Sequence, residues 1–216
     1  MAYEFNGSNQ RLSTASAPVT AAPLTMACWF RTTAMSSLGC LISLMDRTVV
    51  NNYFLMYFRG DIAGDPIQLI DESSNPFSNQ RTVNSTSGVT SGQWHHACAV
   101  QTSTTSRTIY LDAGNSASNA FTIQPKNINR LNIGAADLNG ATGLFNGQIA
   151  EVGVWNAALT AAEIASIADG MTCDKVRPQS LVFYAPLVRD LIDVKGGLTI
   201  TNNNTATVAN HTRVYA

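Results

Sequence analysis

Charge is what this sequence has least of. Asp, Glu, Lys and Arg make up 12% of its 216 residues, about half the share of an average globular domain. The 13 basic and 14 acidic residues leave a net charge of −1, and the basic ones form no run. Nucleic-acid binding draws on basic patches that displace counterions from phosphates, so nucleic acid is not the expected partner. Long apolar runs are missing too. "CLISLM" and its like fall far short of the ~20 residues a helix needs to cross a bilayer, and no membrane insertion is expected. "MAYEFNGSNQRL" has no basic stretch followed by an apolar one, so no secretion signal is read there.

Cysteine is sparse and scattered. Cys28, Cys40, Cys98 and Cys173 form no CxxC pair and no compact framework, which reads as reduced thiols in a protein folded inside a cell. Catalytic signatures are lacking as well: no G-x-S-x-G elbow, and no G-x-x-x-x-G-K-[ST] or G-x-G-x-x-G loop for phosphates or dinucleotides. Asp46, Asp61, Asp65, Asp71, Asp112 and Asp137 fall at turns and strand exits, where turn formation accounts for each. Adjacent Asp71 and Glu72 face opposite sides of a strand. The expectation is that this is not an enzyme.

What fills the space is Ser, Thr and Asn, in stretches such as "STTSRTI" and "NNNTATVAN", together with 45% hydrophobic residues. That is enough apolar material for a sizeable core. Its period is two. "PLTMACWFRT" puts Leu24, Met26, Cys28 and Phe30 on one face and Thr25, Ala27, Trp29 and Arg31 on the other. "CLISLMD", "NYFLMYFRG", "PIQLIDE", "QWHHACAVQT", "RTIYLDA", "AFTIQ", "RLNIGA" and "QIAEVGVWN" follow as strands separated by turn residues. The expected fold is all-β, a two-sheet antiparallel sandwich with one short helix near residues 160–169. In that helix Thr160 is the N-cap and Glu163 completes a capping box. Ile164 and Ile167 form its apolar stripe, and Gly170 stops it. "SLVFYAPL" reads as a strand returning to the sheet, and the Asn/Thr-rich tail pairs at an edge or serves as a docking arm. Residues 1–216 read as one domain, with 171–216 a C-terminal extension.

"GQWHHACAV" raises the possibility of a metal or nucleophile site. Neighbouring strand side chains point to opposite faces, so His95 and His96 cannot converge on one ion. Zinc needs three or four ligands, and the remaining histidine, His211, is far along in the tail. Trp94, His96, Cys98 and Val100 share one face; His95, Ala97 and Ala99 share the other. Both faces are mostly apolar, so the stretch reads as a central strand and Cys98 as a small hydrophobe.

These landmarks, taken in order, resemble the laminin-G-like jelly rolls of the concanavalin A-like lectin/glucanase superfamily. "YEFNGSNQRLS", "PLTMACWFRTT", "GQWHHACAV", "RTIYLDAG", "RLNIGA" and, above all, "FNGQIAEVGVWNAALTAAEIASI" carry the resemblance over roughly residues 3–170. Two departures stand out: Ala150 precedes Glu151 where an acid is usual, and "EVGVW" lacks the E-x-D-x-E of the glucanase branch. Beyond residue 170, "YAPL" and "NHTRV" resemble extensions of such domains in bacteriophage structural proteins. The resemblance implies a non-catalytic structural or adhesion module of a virion, capsid-decorating or tail-associated and made in the host cytoplasm. Its partners would be other virion proteins, copies of itself, or cell-surface glycans. A carbohydrate-binding lectin is the alternative, and a glycoside hydrolase comes third. Aromatic platforms hold sugars in such folds, so Trp29, Tyr57 and Arg59 are the candidate ligand contacts, with Tyr53 and Phe58 beside them. No cofactor is expected. Calcium is the one candidate metal, at Asp61 and Asp65 in "RGDIAGD", whose RGD tripeptide reads as coincidence.

Overall fold

A computed structural model describes residues 1–49, 51–73, 79–137 and 140–211. The strands are β1 (Ala2–Asn6), β2 (Arg11–Thr14), β3 (Leu24–Arg31), β4 (Leu38–Met45), β5 (Tyr53–Arg59), β6 (Pro66–Ser73), β7 (Asn79–Gly88), β8 (Trp94–Ser103), β9 (Ser106–Leu111), β10 (Gly114–Asn119), β11 (Arg130–Ile133), β12 (Ala136–Asp137), β13 (Ala141–Thr142) and β14 (Asn146–Trp155). The helix α1 (Ala161–Ala168) follows, then β15 (Leu181–Ala185), β16 (Ile200–Asn203) and β17 (Thr207–Ala209). An eight-stranded sheet runs β10-β9-β8-β3-β14-β1-β17, with β15 also on β14; a seven-stranded sheet runs β16-β2-β11-β4-β5-β6-β7. Among the described residues the strand pairings in both are antiparallel, as the alternation implied.

Period-two patterning builds the core directly. Leu24, Met26, Cys28 and Phe30 enter the space between the sheets with Phe54, Met56 and Phe58 from β5. Ala97 and Ala99 join them from β8, whereas Cys98 and Val100 face outward under α1, with Trp155, Ile164 and Ile167. The helix starts as the sequence implied. Glu163 N donates to Thr160 Oγ1 at 3.3 Å and Thr160 N to Glu163 Oε2 at 2.7 Å, a cap worth about 1 kcal/mol. The Glu163 carboxylate also pairs with Arg177 at 2.6 Å, tying the helix to the segment after it.

The tail pairs at sheet edges: β16 lies on β2 and β17 on β1. Of "NHTRV", residues 212–214 lie outside the described residues. Two local expectations fail. "AFTIQ" is not a strand; residues 120–129 run irregularly, held at Ile123, whose N–H donates to Thr104 O at 2.9 Å. Pro125 follows, with no N–H to continue a ladder. Asp71 is not a turn residue either. It sits within β6, fully buried, 2.6 Å from Arg107 Nε of the opposite sheet.

Candidate functional site

The outer face of the eight-stranded sheet is covered at one end and open at the other. Helix α1 and residues 171–180 pack over Ala27, Cys98, Val100 and Trp155. Past them, pairing registers set out one cross-strand row: Trp94 opposite Arg31, Arg31 opposite Gln148, Gln148 opposite Glu4, Glu4 opposite Thr207. Cross-strand partners share a face, so an indole, a guanidinium, an amide, a carboxylate and a hydroxyl stand side by side. Trp29 and His96 face each other in the next row.

This row borders a groove of about 140 Å³ lined by Glu4, Arg31, Thr32, Asn146 and Gln148, with Gly147 among them. Gly147 has φ +149, and a Cβ there would lie 2.3 Å from Arg31 O, so only glycine lets the strands close at this point. The side chains of Arg31, Gln148, Glu4 and Thr32 are held in place. Arg31 Nε donates to Gly92 O at 2.7 Å, Gln148 Nε2 donates to Glu4 Oε2 at 3.1 Å, and Thr32 Oγ1 donates to Asn146 O at 2.7 Å. Gln148 Oε1 is buried with no partner among the described residues.

The tail reaches this site. Past β17 the chain sets the His211 ring 4.3 Å from Trp94, edge to face, and 6.0 Å from Trp29. Sequence order alone made His211 look remote; the β17–β1 pairing brings it across. Burial, and then the positive N-terminus, hold the His211 imidazole down at about 4.

The two strand histidines part as expected, and their roles differ. Thr90 N donates to His95 Nε2 at 3.0 Å, which leaves the proton on Nδ1, 2.7 Å from Asp112 Oδ2. His95 thereby pins β8 to the turn after β9. His96 is fully buried, its ring 5.5 Å from Trp29, and both its nitrogens lack partners among the described residues. Burial pushes it down to about 4, against the pull of Asp112. The unfolded chain takes up this proton near 6.5, so stability falls as pH drops from about 6.5 to 4 and is unaffected above that range, by about 3 kcal/mol in all. His96→Phe is expected to remove that acid limb. Urea unfolding at pH 7 and pH 4.5 checks it, and an unchanged acid slope in the variant would contradict the assignment.

The other candidates lie elsewhere. Tyr57 and Arg59 are on β5 of the seven-stranded sheet, so the structure does not bring them together with Trp29. The Tyr57 ring is 5% exposed and lies beneath Gly143, where a Cβ would come 2.8 Å from its hydroxyl. Phe58 points into the core, and Tyr53 is bonded to Glu72. Arg59 grips both Asp61 oxygens, at 2.7 and 2.9 Å, so the RGD arms close on each other. Asp65 occupies a left-handed turn position at φ +46. Among the described residues, no three His, Cys, Asp or Glu side chains converge on a metal position.

Glu151 was not foreseen as it stands. A bulge in β14 puts it at φ +51, buried, accepting from the Tyr184 hydroxyl, with Cys173 Sγ 3.6 Å from its carbonyl. Burial raises its carboxyl to about 7. Packed under the 171–180 segment, it does not line the groove.

A laminin-G family model, of the concanavalin A-like lectin/glucanases superfamily, matches residues 6–165. No curated protein matches the sequence. Among solved structures, the native heptameric SAP-like pentraxin from Limulus polyphemus aligns at TM-score 0.64 and 15% identity, over 95% of this chain and 93% of its own. A putative carbohydrate binding protein from Bacteroides ovatus aligns at 0.65 and 16%, over 97% of this chain and 61% of that one. The CBM40 of the Ruminococcus gnavus IT-sialidase, bound to α2,3-sialyllactose, aligns at 0.60 and 10%, over 78% and 96%. At such identities the likeness is one of fold.

Proposed function

The chain belongs to the concanavalin A-like lectin/glucanases superfamily, and from there we propose that it is a non-catalytic module that binds carbohydrate in the groove beside Trp29 and Trp94. The observation that carries this is the cross-strand row Trp94, Arg31, Gln148, Glu4. A sugar presents apolar C–H faces and a rim of hydroxyls. Indole rings suit the first, and pre-oriented guanidinium, amide and carboxylate groups suit the second. The sialyllactose bound by the Ruminococcus gnavus module lends support from a similar fold. Glu4 is the one carboxylate among the described groove-lining residues and already accepts from Gln148. Glycoside hydrolysis takes two carboxyl groups roughly 5–10 Å apart, which favours binding without turnover.

The saccharide takes the place that the His211 ring holds against Trp94. His211→Ala is therefore expected to tighten binding by about two- to tenfold, because the competent, uncovered state becomes the populated one. Calorimetric titration with a panel of neutral oligosaccharides measures both wild type and variant. A panel that stays blank at high protein concentration counts against the reading.

The setting we propose is a virion, with other virion proteins or copies of itself as neighbours; it rests on the sequence resemblance beyond residue 170. Fixed-stoichiometry co-purification with virus particles is the test, and absence from purified particles removes that setting while leaving the binding activity.

A further inference from the structure

Positive charge gathers on the outer face of the seven-stranded sheet. Arg11 on β2 and Arg130 on β11 share that face with Ser13 and Asn132, and Arg47 follows β4 next to them. Among the described residues one carboxylate pairs with two of the three: buried Asp137 on β12, 3.0 Å from Arg47 Nε and 4.0 Å from Arg130 Nη1. The Nε atoms of Arg11 and Arg130 are buried with no hydrogen-bond partner among the described residues. Between them Asn132 is fully buried; its Nδ2 donates to Ser43 Oγ at 3.0 Å and its Oδ1 is unpartnered. Arg130 is held below its ordinary range by burial first, and then by repulsion from Arg47 and Arg11, which Asp137 only partly offsets. A chain this poor in charge has no general excess of arginine to spread over its surface. The three guanidiniums carry two more charges than Asp137 offsets, and the Nε edges of Arg11 and Arg130 are already desolvated, which makes a place where an oxyanion gains two charge-assisted contacts.

We propose that Arg11, Arg130 and Arg47 form a second binding site, on the sheet opposite the indole groove, for an oxyanion carried on a saccharide: a carboxylate or a sulfate ester. That the carrier is a saccharide rests on the function proposed above; that the site takes an oxyanion does not. Asp137 sets the spacing of Arg47 and Arg130, and Arg11 supplies the free charge.

The test is calorimetric titration of the full chain with a neutral disaccharide, its carboxylated counterpart and its sulfated counterpart, at low salt. At least one charged sugar is expected to bind about tenfold tighter than the neutral parent, the size of a charge-assisted contact. Which one binds identifies the anion. Arg11→Gln and Arg130→Gln are expected to abolish that increment, and Arg11→Lys to keep part of it, since lysine retains the charge without the planar fork. Arg11→Gln removes no bond seen at Nε, so an unchanged melting temperature verifies its fold. Trp94→Ala is expected to spare the increment. Equal binding of charged and neutral sugars overturns the inference. So does an increment that survives both Gln variants, or one lost only in Trp94→Ala, which would put the anion in the groove. An increment seen without any binding of the neutral parent sinks the groove reading and leaves this one standing.

Discussion

Asp71→Asn is expected to destabilise the fold by about 3–5 kcal/mol, the cost of leaving a buried charge without its counter-charge. Asp71 on β6 and Arg107 on β9 are both fully buried, 2.6 Å apart across the two sheets. Arg107 Nη1 donates to Asn119 Oδ1 at 2.7 Å and to Phe121 O at 2.8 Å, its Nη2 donates to Thr104 O at 3.4 Å, and Gln101 donates to the Asp71 carboxylate. Burial raises the Asp71 carboxyl to about 6, and the guanidinium and amide keep it from rising further. At neutral pH the pair is therefore charged on both sides. Asparagine keeps the shape and the Gln101 contact but strands the Arg107 charge in the interior. The double variant Asp71→Leu, Arg107→Met removes both charges and is expected to recover most of the loss. Urea unfolding at pH 7 reads all three chains; a loss below about 1 kcal/mol in the single variant would mean that water reaches the pair.

Trp94→Ala is expected to weaken saccharide binding by about 10- to 100-fold, as for a central aromatic anchor, while leaving the melting temperature nearly unchanged. Trp94 is only half-buried and begins its strand at the open end of the face. It belongs to none of the buried apolar clusters. Truncation removes the platform on which a sugar ring rests and leaves Arg31 and Gln148 in register. Trp29→Ala is a harsher change, since that ring also covers His96. A Trp94→Ala chain that binds as tightly as wild type would place the ligand elsewhere.

Local signals proved readable wherever the physics is local. Alternation in "PLTMACWFRT" and "QWHHACAV" assigns each side chain to the correct face, because strand geometry alone decides it. The Thr160–Glu163 cap is equally local. What stayed hidden depends on distant partners. "PIQLIDE" ends in acids that look like a strand exit, and nothing nearby announces that Arg107 will meet Asp71 from the other sheet. The polar β7 strand, "NQRTVNSTSG", carries too little apolar pattern to be read, because it lies at a sheet edge. The extra residue at Glu151 breaks the period of β14 and buries an acid that strict alternation treats as ordinary. Of the proposed saccharide face one residue, Trp29, was legible in the sequence; its neighbours Trp94, Arg31, Gln148 and Glu4 come from four strands whose register no single stretch contains. Tyr57 was named on its aromatic character and turns out to lie under Gly143.

The three tryptophans offer the most direct test of the central claim, that saccharide binds on the indole-bordered face. Trp155 is buried and donates its indole N–H to Val176 O at 2.9 Å, so it serves as an internal reference for Trp29 and Trp94. In a nitrogen–proton correlation spectrum, adding a saccharide that binds is expected to shift the Trp29 and Trp94 indole signals and leave that of Trp155 in place. Indole signals that all stay fixed, while backbone signals move along β4, β5 and β6, would contradict the account.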